Sequence, residues 1–347
     1  MDSSSAIKPF NEALVTWQNT YGRHDLPWQH NLNRYRVWIS EVMLQQTQVN
    51  TVIPYYQRFM DHFPDVQTLS MASVDKVLAL WSGLGYYRRG RFLWEAARVV
   101  MQKHHGIMPK KPNDLINLPG IGQSTAHAIL SLADNQPFAI LDGNVKRVLI
   151  RYAGLKTPWQ DPKTIKKLWQ LAEYLMPQYY CREYNQGLMD LGTSICKKSK
   201  PLCEQCPIQR HCQAHIQGIT HLLPITSPRK PLPKRSQTLL VIKHRDHILV
   251  TKRPNSGIWP NLWSLPEQQI GQKDQHSIPK EWVISSQTLQ NIKHKFTHFE
   301  LTINPVLLET NTQDAEHFGI QGDWLSRSQI NEYALAKPIK TLLQKLL

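Results

Sequence analysis

The sequence predicts an all-α body over the first two thirds of the chain and a smaller α+β domain after it. Three observations carry this. Up to about residue 217, apolar residues recur at three- and four-residue spacing, with Gly or Pro between segments and little strand-like alternation. The stretch 221–236, HLLPITSPRKPLPKRS, is dense in proline and basic residues and reads as an extended linker. Beyond it, residues 238–243 and 247–252 read as strands joined by His244-Arg245-Asp246 as a hairpin. The expected division is a helical domain over 1–220, a linker over 221–236 and an α+β domain over 237–347.

Taken in order, Ile39, Val42, Val49 and Ile53 form one helical stripe with Met43 beside it, and Val74, Val77, Leu78 and Trp81 form another. Two sections repeat a theme. LWSGLGYYRR from Leu80 and LPGIGQST from Leu118 each set a Gly-x-Gly between two helical runs. A turn of this kind lets backbone amides converge at the N-terminus of the second helix, where the dipole also favours an anion. Many such turns are merely tight connections, so the pair is suggestive only in company. In the last third, 296–303 alternates as a strand, and short helices are expected near 326–335 and 339–347.

The chain has 347 residues, with 41 Lys and Arg against 26 Asp and Glu, a formal charge of +15. That excess points to a polyanionic partner. No apolar run reaches the roughly 20 residues of a membrane span. The N-terminus, MDSSSAIKPFNEAL, lacks the pattern of a secretory signal, so a cytoplasmic, reducing setting is expected. Four of the five cysteines then read as metal ligands rather than disulfides. Cys196, Cys203, Cys206 and Cys212 are spaced C-x6-C-x2-C-x5-C. Structural zinc more often uses two C-x2-C pairs, and a single run of four favours a [4Fe–4S] cluster. His211 and His215 are lesser ligand candidates, and Cys181 stands outside the pattern.

In LPGIGQSTA, LDGNVKR and the cysteine spacing, the chain resembles the endonuclease III superfamily of helix-hairpin-helix DNA glycosylases. SEVMLQQTQV, GLGYYRRGR and the C-terminal third narrow the resemblance to MutY-type adenine DNA glycosylases, over nearly the whole chain. It implies a monomer that acts in base excision repair on double-stranded DNA, removing adenine mispaired with 8-oxoguanine or guanine. It implies a [4Fe–4S] cluster on the four cysteines.

Breaking an N-glycosidic bond needs an acid to protonate the leaving base and an ionised carboxylate to stabilise an oxocarbenium-like sugar. By periodicity alone, Glu41 would be a solvated helix residue, and Asp142 a helix cap or Asp-Gly turn. The resemblance makes Glu41 the general acid toward adenine N7 and Asp142 the stabiliser of the sugar. Ser124 stands where strand-cleaving relatives carry a nucleophilic lysine, which implies a monofunctional enzyme. The resemblance also assigns Arg23, Leu26, Trp28, Ser124, Asn144 and Gln186 to the adenine pocket and its surroundings. Gln46, Gln48, Tyr86, Gly120, Gly122 and Lys146 are expected at the DNA.

The C-terminal domain resembles the Nudix fold. After Glu267, however, QQIGQKDQHSIPKEW lacks the glutamate-rich helix that holds magnesium in Nudix hydrolases, so a recognition role is expected instead. Phe296, Thr297 and His298 match the family's Phe-Ser-His loop for 8-oxoguanine, with threonine for serine. The principal alternative is a non-catalytic helix-hairpin-helix DNA-binding factor with a redox-sensing cluster, which leaves Glu41 and Asp142 unexplained. Ser124 disfavours a thymine glycol-type glycosylase-lyase, and the missing glutamates disfavour an active Nudix hydrolase.

Overall fold

The computed structural model describes residues 4–227, 231–268, 282–314 and 319–347. The helices are α1 (Ser4–Tyr21), α2 (Arg34–Leu44), α3 (Val49–His62), α4 (Val66–Met71), α5 (Val74–Trp81), α6 (Arg88–His104), α7 (Pro112–Ile116), α8 (Gln123–Asp134), α9 (Gly143–Ala153), α10 (Pro162–Tyr174), α11 (Cys181–Ser194), α12 (Gln213–Ile216) and α13 (Lys337–Leu346). They fall into two compact units. One is Met1–Ser70 with Glu95–Arg229, and the other is Met71–Trp94 with Lys230–Leu347. The division is therefore not the simple N-terminal and C-terminal split that the proline-rich stretch suggests.

The first unit is built on caps and an apolar interior. Asn33 accepts from Arg36 N at 2.9 Å and starts α2, and Asp142 accepts from Val145 N at 2.7 Å and starts α9. Asn135 and Gly154, both left-handed, end α8 and α9. Leu14 of α1, Val145, Val148 and Leu149 of α9, Leu168 of α10 and Leu188 and Leu191 of α11 bury their side chains together. Burial of each such side chain favours folding by about 1.5–3 kcal/mol before entropy is charged against it.

The stripe expected over 39–53 is not continuous. The chain turns between α2 and α3, with Gln46 left-handed at φ +56°. The phase of the pattern resets there, so Val52, not Val49 or Ile53, is the fully buried residue at the start of α3.

The second unit holds seven strands among the described residues: β1 (Lys234–His244), β2 (His247–Lys252), β3 (Trp263–Ser264), β4 (Val283–Thr288), β5 (Ile292–Lys295), β6 (Glu300–Thr310) and β7 (Asp323–Ser326). The main path runs β3-β2-β1-β6-β4, with β5 on β6 and β7 on β2. β1 and β6 are parallel, from Lys234 opposite Glu300 to Lys243 opposite Glu309. Alternation along β1 sends Leu239 and Val241 to one apolar cluster and Leu240 and Ile242 to another. α13 adds Ile339 and Leu343 to the first cluster, and α5 adds Leu78.

Segment 71–94 is also pinned by polar bonds. Ser82 Oγ and Tyr87 OH donate to Leu335 O at 2.8 and 3.3 Å.

Several expected boundaries shift. β1 begins at Lys234, inside the stretch read as linker. The strand expected from residue 296 begins at Glu300, because 296–299 form a tight loop closed by Phe296 N donating to Phe299 O at 2.9 Å. The helix expected near 326–335 is a single 3-10 segment, Arg327–Asn331. The glutamate-poor stretch after Glu267 lies, from 269 to 281, outside the described residues, as do 228–230 of the proline-rich stretch. No helix among the described residues is long and apolar enough to cross a membrane.

Candidate active site

A cavity of ≈ 1020 Å³ opens in the first unit, lined by residues of α1, α2, α8, α9, α11 and the turns between them. Glu41, on α2, and Asp142, at the start of α9, both face it. Glu41 keeps part of its surface open to the cavity while the protein closes round the rest. Burial, and after it the Asp142 charge, pushes the Glu41 carboxyl up to about 8. Asp142 is also raised by burial, against the opposing pull of the Val145 and Asn144 amides and of Arg147 and Lys146. The two carboxyl groups thus differ in kind. Asp142 has donors and cations that favour its charged form, whereas Glu41 has a like charge and little else. Such a difference in surroundings is what lets two carboxyl groups divide acid and carboxylate roles.

Asp142 is held from two sides. Its cap bond to Val145 fixes one oxygen, and Asn144 Nδ2 donates to the other at 3.4 Å. Arg147 donates from Nη2 to Asn144 Oδ1 at 2.9 Å and from Nε to Cys196 O at 2.8 Å. Gly192 lies against this cap: a Cβ there would come within 2.7 Å of Asn144 Cβ. Ser124 lines the cavity, and its Oγ accepts from Leu141 N at 3.1 Å, tying α8 to the chain just before Asp142.

Arg23, Leu26, Trp28 and Gln186 also line the cavity. Arg23 donates from its backbone N and from Nε to the Asp190 carboxylate, each at 2.9 Å, and Gln186 Nε2 donates to the same carboxylate at 2.9 Å. Gln29 holds the Arg23–Trp28 turn, donating to Arg23 O at 2.8 Å and accepting from Leu26 N at 3.0 Å. Trp28 meets Tyr56 edge-on, with ring centroids 5.5 Å apart. Gln46 and Gln48 are exposed residues of the α2–α3 turn and line the same cavity. Gly120, at φ +77°, and Gly122, the N-cap of α8, are exposed, and no atom would obstruct a Cβ at Gly122. Lys146 lies over the Trp159 ring at 5.8 Å.

Asp190, Arg147 and Gly192 were not singled out from sequence. Asp190 is four residues after Gln186 on α11, and Arg147 three after Asn144 on α9, so both share a helix face with a predicted residue. That spacing was the available signal.

Cys196, Cys203, Cys206 and Cys212 line one pocket with Val148, Leu191, Ile195, Ile208 and Arg151. All four thiols are free. Burial raises the Cys203, Cys206 and Cys212 thiols, Cys206 to about 12, and their neighbouring sulfurs add to this. Ionising them together calls for positive charge within the pocket. Arg151, fully buried, donates from Nη1 to Cys196 Sγ at 3.3 Å and reaches the carbonyls of Lys198 and Leu223 at 3.1 and 3.0 Å. Among the described residues no three His, Cys, Asp or Glu side chains meet as a single-ion site.

In the second unit, Phe296 stacks on Phe299 at 4.4 Å, leaving Thr297 and His298 exposed at the loop tip. Tyr86 OH lies 3.5 Å from Thr297 Oγ1.

Comparison with known proteins agrees with this architecture. Residues 39–173 match the HhH-GPD superfamily of base excision DNA repair proteins, and residues 237–345 match the NUDIX domain. An adenine DNA glycosylase of Buchnera aphidicola subsp. Acyrthosiphon pisum is 42% identical, covering 86% of this chain and 86% of the relative. The adenine DNA glycosylase of Rattus norvegicus is 33% identical, covering 96% of this chain and 77% of the relative. Among solved structures, a thermostable thymine-DNA glycosylase has a TM-score of 0.57 and 30% identity, covering 62% of this chain and 100% of its own. An endonuclease III in a non-covalent DNA complex shares the fold, with a TM-score of 0.54 and 19% identity, covering 63% of this chain and 99% of its own. With a helical repair body, a NUDIX domain and these relatives along most of its length, the chain belongs to the adenine DNA glycosylase family.

Proposed function

We propose that this protein is a monofunctional glycosylase that removes adenine mispaired with 8-oxoguanine or guanine from double-stranded DNA. The reading rests on one observation above the rest: Glu41 and Asp142 share a cavity, with Glu41 pushed up to about 8. Adenine leaves the helical stack and enters the cavity, whose volume of ≈ 1020 Å³ admits a whole nucleotide. Glu41 gives its proton to N7, which makes the base a competent leaving group. As the C1′–N9 bond breaks, its electrons stay with the base, and the ionised Asp142 stabilises the cationic sugar. Glu41, now ionised, accepts a proton from the water that adds to C1′. An abasic site and free adenine result. Arg23, Leu26, Trp28 and Gln186 hold the base, with Asp190 setting Arg23 and Gln186. Asn144 steadies Asp142, and Ser124 offers no amine to form a Schiff base with the opened sugar.

Gln46, Gln48, Tyr86, Lys146 and the Gly120–Gly122 turn grip the duplex, and the Phe296-Thr297-His298 loop reads 8-oxoguanine. Cys196, Cys203, Cys206 and Cys212 would hold a [4Fe–4S] cluster, whose role there is to staple the loop into a fixed shape. The crowding of four thiols round an apolar pocket beside Arg151 fits an anionic cluster core. Iron and sulfide analysis of the purified protein, with zinc measured alongside, tests the metal.

The test of function is a duplex carrying 8-oxoguanine:A, incubated with the protein and divided between buffer and hot alkali. Strand breaks after alkali alone are expected. Breaks without alkali would refute monofunctional chemistry, and none in either arm would refute excision.

A further inference from the structure

The turn between α5 and α6 carries Tyr86 in a conformation that needs support. Tyr86 has φ +48°, a region costly for a residue with a Cβ, yet its side chain is 47% exposed. At its exposed end the ring has the Thr297 Oγ1 contact at 3.5 Å, and the rest of its support lies beneath. Arg89 lies there. Its guanidinium carbon is 5.3 Å from the Tyr86 ring centroid and 5.5 Å from that of Trp81. Nη2 also reaches the carbonyls of Leu84 and Gly85, at 3.4 and 3.3 Å. Trp81 is fully buried and donates from Nε1 to Gly85 O at 3.1 Å, so the same carbonyl is gripped twice. Gly90 keeps the space open, since a Cβ there would come within 2.9 Å of the Trp81 ring. Burial lowers Arg89 to about 10, which leaves it cationic at neutral pH.

We propose that Arg89 is a positioning residue: its guanidinium, held against Trp81 and Tyr86, fixes the Tyr86 ring in its exposed left-handed pose for entry into the duplex. The proposal rests on the reading of Tyr86 as a residue that contacts DNA. It also explains the residue type. A planar guanidinium can present its face to an aromatic ring while its edge donates to two carbonyls. A lysine ammonium supplies charge and donors but no planar face to lie between the rings of Trp81 and Tyr86.

The test uses the full chain and a duplex with 2-aminopurine in place of adenine opposite 8-oxoguanine, whose fluorescence rises when the base leaves the stack. Arg89→Met, Arg89→Lys, Tyr86→Ala and the Arg89→Met/Tyr86→Ala double variant are compared with the parent, with circular dichroism melts to confirm folding. Arg89→Met and Tyr86→Ala are each expected to slow extrusion about tenfold, and the double variant to be no slower than Tyr86→Ala. Arg89→Lys should resemble Arg89→Met. Parent-like extrusion by either Arg89 variant overturns the proposal, as does a double variant whose losses multiply. Should Arg89→Met not fold, Arg89→Lys decides alone. A parent-like Tyr86→Ala would refute the role given to Tyr86, a different failure from that of Arg89.

Discussion

Asp142 helps to keep Glu41 protonated: burial first, and then the Asp142 charge, pushes the Glu41 carboxyl up to about 8. The two sit on different elements, Glu41 within α2 and Asp142 as the cap of α9. A carboxylate beside a carboxylic acid costs less than two carboxylates side by side, so charge on Asp142 favours the protonated form of Glu41.

The first prediction is a pH profile. A proton donor with a pKa of about 8 is loaded below that value and lost above it. Single-turnover excision should hold up to neutral pH and fall about tenfold per unit well above pH 8. Glu41→Gln should lose most activity at every pH. A parent profile flat to pH 10 would show that the acid is another group.

The second concerns stability. Glu41 rises from an ordinary 4.5 to about 8 on folding, so the folded protein binds the proton more tightly than the unfolded chain. Stability from this group is present in full below pH 4.5 and drains away as pH rises to about 8. Glu41→Gln removes that drain. It should unfold at higher denaturant than the parent at pH 7.5, by about 1–3 kcal/mol, and lose this advantage at pH 4. Equal or lower stability at pH 7.5 would contradict it.

The third is Gly192→Ala. The added Cβ would meet Asn144 at 2.7 Å, and two of the three nearest atoms are backbone, which cannot swing aside. The start of α9, and Asp142 with it, must shift. Overpacking of this kind costs about 1–3 kcal/mol, and excision should fall more than tenfold, beyond any change in duplex affinity. Thermal melts and single-turnover rates check both halves.

The fourth is Asp190→Asn. Asp190 is 2% exposed and accepts from both Arg23 and Gln186. Neutralising it leaves Arg23 without its counter-charge, at a cost of about 2 kcal/mol, reduced from a fully buried pair because Arg23 is partly solvated. Melting should drop, and excision of adenine should fall with Trp28 and Leu26 unchanged. An unaltered rate would remove Asp190 from the support of the pocket.

Much of this was legible beforehand because it is written in local chemistry. The cap at Asp142, the glycine turns and the strand alternation of β1 each depend on residues within a few positions of one another. The α2–α3 break was less legible. Its apolar residues keep a helical spacing through the turn, and only the left-handed Gln46 resets the phase. The division into units could not be read at all. Segment 71–94 looks like more of the helical body, but Leu78 joins an apolar cluster of the C-terminal third, and Ser82 and Tyr87 bond Leu335, more than two hundred residues on. A cut at residue 236 would therefore strip this segment of its packing, and substitutions at Thr297 and His298 are the cleaner probe of base recognition.

By itself, the sequence determined the class of elements, the basic character and the four-cysteine run, while Glu41 and Asp142 stood out only through the family resemblance. Periodicity, charge and spacing are one-dimensional properties, and they survive without coordinates. Only the tertiary structure decided that Glu41 and Asp142 face one cavity, that Asp190 organises Arg23 and Gln186, and that Arg89 lies beneath Tyr86. A pKa or an orienting hydrogen bond depends on what surrounds a group in space, and those surroundings come from residues that the chain order keeps far apart.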